Sequence, residues 1–184
     1  MKATVTVLGI TQTLAWASSY YLPAILALPI ARDTGIDSLQ VFAAFSVSLL
    51  ISAALGPRVG RTIDAIGGRE VLAVSNLAFA AGLLILAMAT SASGVWCAWL
   101  VLGIGMGLGL YDAGFATLGR IDGDKARSAI TGITLIAGFA STIGWPLTAW
   151  GEITIGWRDT CLLWAAVHVF IALPLNRFLL PKLT

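Results

Sequence analysis

Charge is what this sequence has least of. Charged side chains make up 11% of the chain, against 58% hydrophobic residues and a mean hydropathy of +0.91. A water-soluble domain carries about 25% charged residues, so this chain lacks the polar surface to fold in water, and lipid must be the solvent for most of it. The net charge of +2 is too small for a nucleic-acid-binding face. Histidine occurs once and cysteine twice, with no CxxC spacing, which excludes a metal cluster of ordinary ligand spacing. Cys97 and Cys161 read as small apolar residues; both fall near the same expected membrane face, which leaves a disulfide between them open. Serine, histidine and aspartate show no spacing suited to nucleophilic catalysis, so the expectation is a non-enzyme without cofactor or metal. Low-complexity tracts and flexible linkers are also absent, so residues 1–184 are expected to form a single domain. Lys2 and Ala15-Trp16-Ala17 imitate a signal peptide and its cleavage site. The apolar run continues beyond the roughly 7–15 residues of a signal core, however, which favours a retained first helix.

What is there is six apolar stretches, approximately Val5–Ile30, Leu39–Leu55, Val71–Ala89, Val95–Leu118, Ile130–Trp150 and Cys161–Leu175. Backbone groups in lipid must bond within their own segment, so stretches of this length read as spanning helices. The fold class expected is an all-α membrane protein, a bundle of six transmembrane helices. Pro23 and Pro29 should kink the first span towards its end, and Pro146 should bend the fifth. Basic residues sort the connections. Lys2, Arg58, Arg61, Arg69, Arg120, Lys125, Arg127, Arg177 and Lys182 fall on one side, and Arg32 and Arg158 on the other. This asymmetry places both termini in the cytoplasm and the protein in a cell inner membrane as a multi-pass chain. Trp96, Trp99, Trp150 and Trp157 lie near the opposite ends of the spans, as an interfacial belt would. Spans 1–3 and 4–6 could be a diverged repeat, although no convincing sequence repeat is visible.

The connection between spans 2 and 3 reads Gly60-Arg61-Thr62-Ile63-Asp64-Ala65-Ile66-Gly67-Gly68-Arg69. Gly60, Asp64, Gly67 and Arg69 match the cytoplasmic loop motif of the major facilitator superfamily, which this segment resembles; Ala65 stands where a basic residue is usual. Glycines there allow a tight turn, and the resemblance implies a charged latch formed by Arg61, Asp64 and Arg69, with Arg127 of the 4–5 connection. Arg127-Ser128-Ala129-Ile130-Thr131-Gly132 is similar to the family's segment opening span 5, and Gly156-Trp157-Arg158 to the one before span 6. Gly103, Gly105, Gly107 and Gly109 in span 4 are not a dinucleotide loop, since no strand precedes them. With Gly138, Gly144 and Pro146 of span 5, they read as positions of close helix packing. Span 5 is only loosely like the family's antiporter motif, lacking a double glycine after the proline. Trp99 stands near where many members carry an arginine in span 4, which leaves proton coupling open. The resemblance covers the whole chain but implies only the N-terminal six-span half of a twelve-span carrier. Such carriers bind substrate between two halves near the bilayer midplane.

Asp112 is the most informative ionisable residue, because an acid inside a span costs several kcal/mol unless paired or hydrated. It either serves a cation or proton, or pairs structurally with Arg58, Arg61 or Arg127. Gln12, Trp16 and Tyr20 recur at i, i+4 and i+8 on span 1. Since the resemblance implies that spans 1 and 4 line the path, these three and Asp112 are candidate path residues; interhelical hydrogen bonding is the alternative. His168 stands alone in span 6, which the family places on the outside of the bundle, and reads as a packing histidine before a proton relay. The function expected is transport of a small solute by alternating access, coupled to a proton or ion gradient. The partners expected are the lipid bilayer, a small-molecule substrate, and a second bundle supplied by a homodimer or a separate six-span half. Ser46, Ser48 and Ser52 of span 2 and Gly138, Ser141, Thr142 and Gly144 of span 5 would face that second bundle. A truncated or non-transporting membrane subunit is the alternative, and a channel a weaker one, for want of a filter-like loop. The runs from Gln12 to Pro23 and from Gly138 to Pro146 resemble bacterial members associated with small organic anions, yet no arginine or lysine lies within a span to bind one.

Overall fold

The computed structural model of the chain describes residues 2–123 and 126–182, so Lys125 and the last two residues lie outside the described part. Among the described residues there is no strand. Six helices are long and apolar enough to cross a membrane: Ala3–Thr34, Ser38–Ile66, Gly68–Met88, Ala92–Asp122, Ala126–Ile155 and Trp157–Leu179, called spans 1 to 6 below. Two features end them cleanly. Gly35, Gly67 and Gly156 take φ of 68°, 85° and 87° at the turns after spans 1, 2 and 5, a region closed to most side chains. Asp37 caps span 2, its Oδ1 accepting from the Leu39 amide at 2.8 Å.

Span 2 runs unbroken for 29 residues through Pro57. At about 1.5 Å per residue it is longer than a hydrocarbon layer of about 30 Å. Its last turns therefore project out of the apolar layer, and Gly60, Arg61 and Asp64 lie on that helical projection rather than in a loop. Only Gly67 makes the turn, with Gly68 already opening span 3. The other interruptions fall unevenly. Span 1 splits into Lys2–Ser18 and Pro23–Thr34, and the break sits immediately before Pro23, whose missing N–H suits a first helical position. Pro29 stays inside the second piece. Span 4 splits at Leu110, between Ala92–Gly109 and Tyr111–Asp122. Span 5 splits at Gly138-Phe139, between Ala126–Ala137 and Ala140–Ile155, and runs on helically through Pro146. The expected disruption of span 5 thus occurs a full helical turn and more before the proline. Span 6 widens into π-helical turns at His168–Ala172 and Leu175–Leu179.

Spans 1, 3 and 4 form the centre: 56%, 61% and 56% of their apolar windows are buried, against 17% and 22% in spans 2 and 5. Phe79, Leu83, Trp99, Leu102 and Met106 are among the side chains sealed there. The glycines of span 4 explain how the helices approach. Gly103 and Gly107 lie against Ser48 and Ser52 of span 2, while Gly105 and Gly109 lie against Phe79 and Ser75 of span 3. Residues two apart are about 200° round a helix, so one glycine run serves two opposite seams. A methyl group on Gly103 would stand 2.7 Å from the Ser48 carbonyl oxygen. Gly144 packs onto Ala17 in the same manner, whereas Gly138 meets only carbonyls of its own span and Pro146 is exposed. Ser48 and Gly144 are buried within this bundle, so they cannot present the outward face expected of them; Ser46 and Thr142 do. The tryptophan belt also needs correcting. Trp99 is fully buried and Trp157 almost so, while Trp150 is exposed. Trp157 turns inward because its Nε1 donates to Asp33 Oδ2 at 2.8 Å. Cys97 is exposed, Cys161 buried, and both are free thiols.

Candidate functional site

The first helix of span 1 meets the break in span 4. Ending a helix at Leu110 takes the Gly109 carbonyl out of the regular ladder, and Gln12 Nε2 donates to it at 2.7 Å. Gly114 leaves room for that amide: a methyl there would lie 3.1 Å from Gln12 Nε2. Gln12 is thus a strut between the two broken spans, and its Oε1 stays buried with no partner. One turn on, the Trp16 ring lies 4.8 Å from Tyr111, the first residue after the span 4 break. It lies 4.9 Å from Tyr20 and 6.0 Å from Tyr21, both within the span 1 break. Tyr21 reaches Trp145 of span 5 at 5.7 Å, and Tyr20 reaches Phe45 of span 2 at 5.4 Å. Trp16 Nε1 is buried and unpartnered. So Gln12, Trp16 and Tyr20 do stand together, joined by Tyr21 and Tyr111, which sequence reasoning did not single out. The available signal was their place beside the breaks, which depends on knowing where span 4 is interrupted.

Asp112 departs from that group. It is exposed and lines a cavity of about 210 Å³ between spans 2 and 4, with Gly56, Val59, Gly60, Gly107 and Ala113. No side chain occupies the space beside Gly56 or Gly60. Among the described residues Asp112 forms no salt bridge, so the structural pairing with Arg58, Arg61 or Arg127 is not made here. The cavity instead joins the acid to the first glycine of the Gly60–Arg69 motif.

At the Gly67 end of the bundle, Asp64, Arg61 and Arg127 are exposed and no ion pair joins them among the described residues. The acid that carries pairing is Glu70, in the first turn of span 3, where a negative charge also favours the helix dipole. It accepts from Arg177 of span 6 at 2.9 Å and lies 3.8 Å from Arg69. Glu70 was not singled out in the sequence. At the opposite end Arg158 donates to the carbonyls of Ala87 and Ala89, both at 2.7 Å, where span 3 stops. It lies 4.2 Å over the Trp157 ring and 3.9 Å from Asp33.

His168 is fully buried despite the exposure of most of span 6. Asn76 Nδ2 donates to the Leu72 carbonyl at 2.7 Å, which turns its Oδ1 towards His168 Nδ1 at 2.8 Å. Nδ1 must therefore carry a proton. Nε2 is then an acceptor 2.7 Å from Ser18 Oγ, whose one proton is shared between it and the Leu14 carbonyl, also at 2.7 Å, and Phe79 stacks on the ring at 4.7 Å. A neutral imidazole is fully satisfied, as the packing reading requires. The π-helical turn starting at His168 widens span 6 at the point where the ring enters.

An open apolar groove of about 530 Å³ also runs between spans 1 and 5, lined by Ile10, Leu14, Leu135, Ile136 and Phe139 among others. Its one hydroxyl, Thr13, is already bonded to the Gly9 carbonyl at 2.8 Å. It offers nothing to recognise a polar solute.

The chain is an all-α bundle of six membrane-spanning helices, of which spans 1, 4 and 5 are interrupted. The sequence model of the Major Facilitator Superfamily matches residues 8–183, and the chain belongs to that superfamily. Its function is accordingly of the transporter type, and the superfamily's members are transporters rather than enzymes as a rule. The protein is a multi-pass membrane protein. No curated protein matches the chain.

Proposed function

We propose that the chain is one bundle of a secondary transporter, moving a small solute by alternating access under a proton or ion gradient. The observation that supports this best is the interruption of span 4 at Leu110, where Gln12 of span 1, itself an interrupted span, bonds the freed Gly109 carbonyl. In carriers built from repeats, interrupted helices in corresponding positions mark the binding site, because freed backbone groups and half-helix ends can meet a ligand there. Spans 1 and 4 hold corresponding places in two three-span units. Asp112, unpaired beside a cavity, is the group proposed to hold the coupling proton or cation.

Alternating access needs one bundle to rock against another. The second is supplied by another copy of the chain or by a separate six-span half, against the exposed faces of spans 2 and 5. The basic asymmetry orients the Gly67 end and both termini to the cytoplasm of a cell inner membrane. On this reading Arg61, Asp64, Arg69 and Arg127 form the latch when the second bundle or another conformation brings them together.

The test is uptake in liposomes by the chain alone and with any neighbouring six-span partner, with Asp112→Asn alongside. Gradient-driven uptake that collapses in Asp112→Asn, by 10-fold or more, is expected for a group whose charge carries the coupling. Unaltered coupling removes Asp112 from that role. Absence of uptake under every pairing favours the non-transporting subunit. Cysteine labelling from outside intact cells should miss positions in Arg58–Arg69 and reach Ser93; the reverse pattern inverts the orientation.

A further inference from the structure

The ring cluster at the two breaks has a chemistry of its own. Trp16 is in ring contact with Tyr20, Tyr21 and Tyr111 at 4.9, 6.0 and 4.8 Å, and Tyr21 with Trp145 at 5.7 Å. These rings come from spans 1, 4 and 5, and Tyr20 extends the group to span 2 through Phe45. Tyr20 and Trp145 are exposed, and Trp16, Tyr21 and Tyr111 are half-buried, so the cluster forms a surface rather than a sealed core. Aromatic faces carry negative partial charge and attract cations, most strongly where water is excluded.

Two further observations point to a ligand. Trp16 Nε1 and Gln12 Oε1 are buried with no hydrogen-bond partner, one donor and one acceptor four residues apart on the same span. Unsatisfied groups at such depth cost about 1–3 kcal/mol each, and here both stand where two broken helices meet. No arginine or lysine belongs to the cluster: Arg32, Arg58, Arg61, Arg69, Arg120, Arg127, Arg158 and Arg177 all lie towards the ends of the spans. An organic anion would find rings of unfavourable sign and no counter-charge. An organic cation would find ring faces of favourable sign.

We propose that this face binds an organic cation with a flat aryl body, the ammonium set over Trp16 and Tyr111 and the body stacked among the tyrosines. The inference rests on the transporter reading only for its site, not for its chemistry. It replaces the organic anion suggested by the run from Gln12 to Pro23 with the class that the side chains recognise. Cation–π contacts need an aromatic face, strongest on Trp and weaker on Phe, so Trp16→Phe should weaken binding less than Trp16→Leu.

The experiment is equilibrium dialysis of radiolabelled benzyltrimethylammonium against the full chain in nanodiscs, with benzoate and benzyl alcohol as competitors. Saturable binding of the cation is expected, displaced by neither competitor at equal concentration. Trp16→Leu and Tyr111→Leu should each weaken it about tenfold, the scale of a desolvated cation–π contact. Trp16→Phe should stay within about threefold, and Phe170→Leu, exposed on span 6, should match the parent. Benzoate binding as tightly as the cation overturns the proposal, as does the absence of saturable cation binding. Parent-like binding by both leucine variants overturns the site. Cation binding without uptake leaves the site standing and removes transport. Uptake of benzoate with no cation binding does the opposite.

Discussion

Spans 3 and 4 on one side, and spans 2 and 5 on the other, are built from similar residues and do different things with them. Both sets are rich in glycine, alanine and serine. Where spans 3 and 4 pack together the small residues are occupied: Gly82 faces Leu102, Gly105 and Gly109 face Phe79 and Ser75, and no room remains there for a methyl group. In span 2 the space beside Gly56 and Gly60 is open, and Ser46, Ala53 and Ala54 are exposed. Span 5 is mixed: Gly138 and Thr142 are exposed, while Gly132, Gly144 and Gly151 are packed against Val5, Ala17 and Thr160. A small residue in a membrane helix has a meaning only once its neighbour is known. In the centre it sets the distance between helices; at the edge it leaves a surface on which another bundle can slide.

The sharpest way to break this comparison is to add the same bulk on both sides. Gly103→Val places atoms against the Ser48 backbone, which cannot swing aside as a flexible side chain would. Overpacking of this kind costs about 1–3 kcal/mol or more, and a large drop in thermal stability in detergent is expected. Gly60→Ala meets nothing within 4 Å. It should be neutral in the isolated bundle, or stabilising by up to about 1 kcal/mol through helix propensity. Equal losses at both positions would erase the distinction between centre and edge.

An effect of comparable size tests whether the centre depends on its buried polar contacts as well as its packing. His168 links span 6 to span 1 through Ser18 and to span 3 through Asn76. Removing the ring in His168→Ala leaves Asn76 Oδ1 without its imidazole donor and opens a void beside Phe79. About 2–4 kcal/mol is expected from the orphaned acceptor and the cavity together. Asn76→Ala should cost less, since the imidazole can still pair with Ser18. If His168→Ala melts with the parent, the cluster contributes nothing, and exposure alone would describe span 6.

Much of this was readable in the chain. Hydropathy over about 20 residues gives the six spans, and Pro23 marks the break in span 1. Gln12 and Trp16 stand out because polar and indole groups are unusual at that depth. Other features were not readable, each for a physical reason. Hydropathy reports where the apolar layer ends, not where a helix ends, so span 2 runs on helically through Gly60 and Asp64. Leu110 interrupts span 4 without a proline. The carbonyl freed there finds its donor 97 residues away in Gln12, and no local pattern encodes such a pair. Trp99 and Trp157 sit at the ends of spans, where a belt is expected, but which face of the helix they occupy depends on neighbours. His168 is buried on a span that is mostly exposed for the same reason.

The smallest expected effect contrasts the two ends of the bundle, each closed by one arginine. Arg158 reaches two carbonyls that end span 3 and lies over the Trp157 ring, so its guanidinium satisfies backbone groups that would otherwise lack donors. Arg158→Lys keeps the charge but loses the fork and the stacking, and charge-assisted bonds of this kind are worth about 1.5–3 kcal/mol. Among the described residues Arg177 pairs with Glu70, and both side chains are about two-fifths exposed. An exposed pair is worth about 0–1 kcal/mol and is screened by salt. Glu70→Gln should therefore shift the melting temperature barely at all, and the remaining shift should vanish in concentrated salt. The Arg158→Lys loss should survive that salt, because its partners are uncharged carbonyls. Should Glu70→Gln cost as much as Arg158→Lys and resist salt, the Gly67 end would be held as firmly as the Gly156 end. The latch proposed above requires the opposite, a weak closure at the Gly67 end, where Arg61 and Asp64 are exposed.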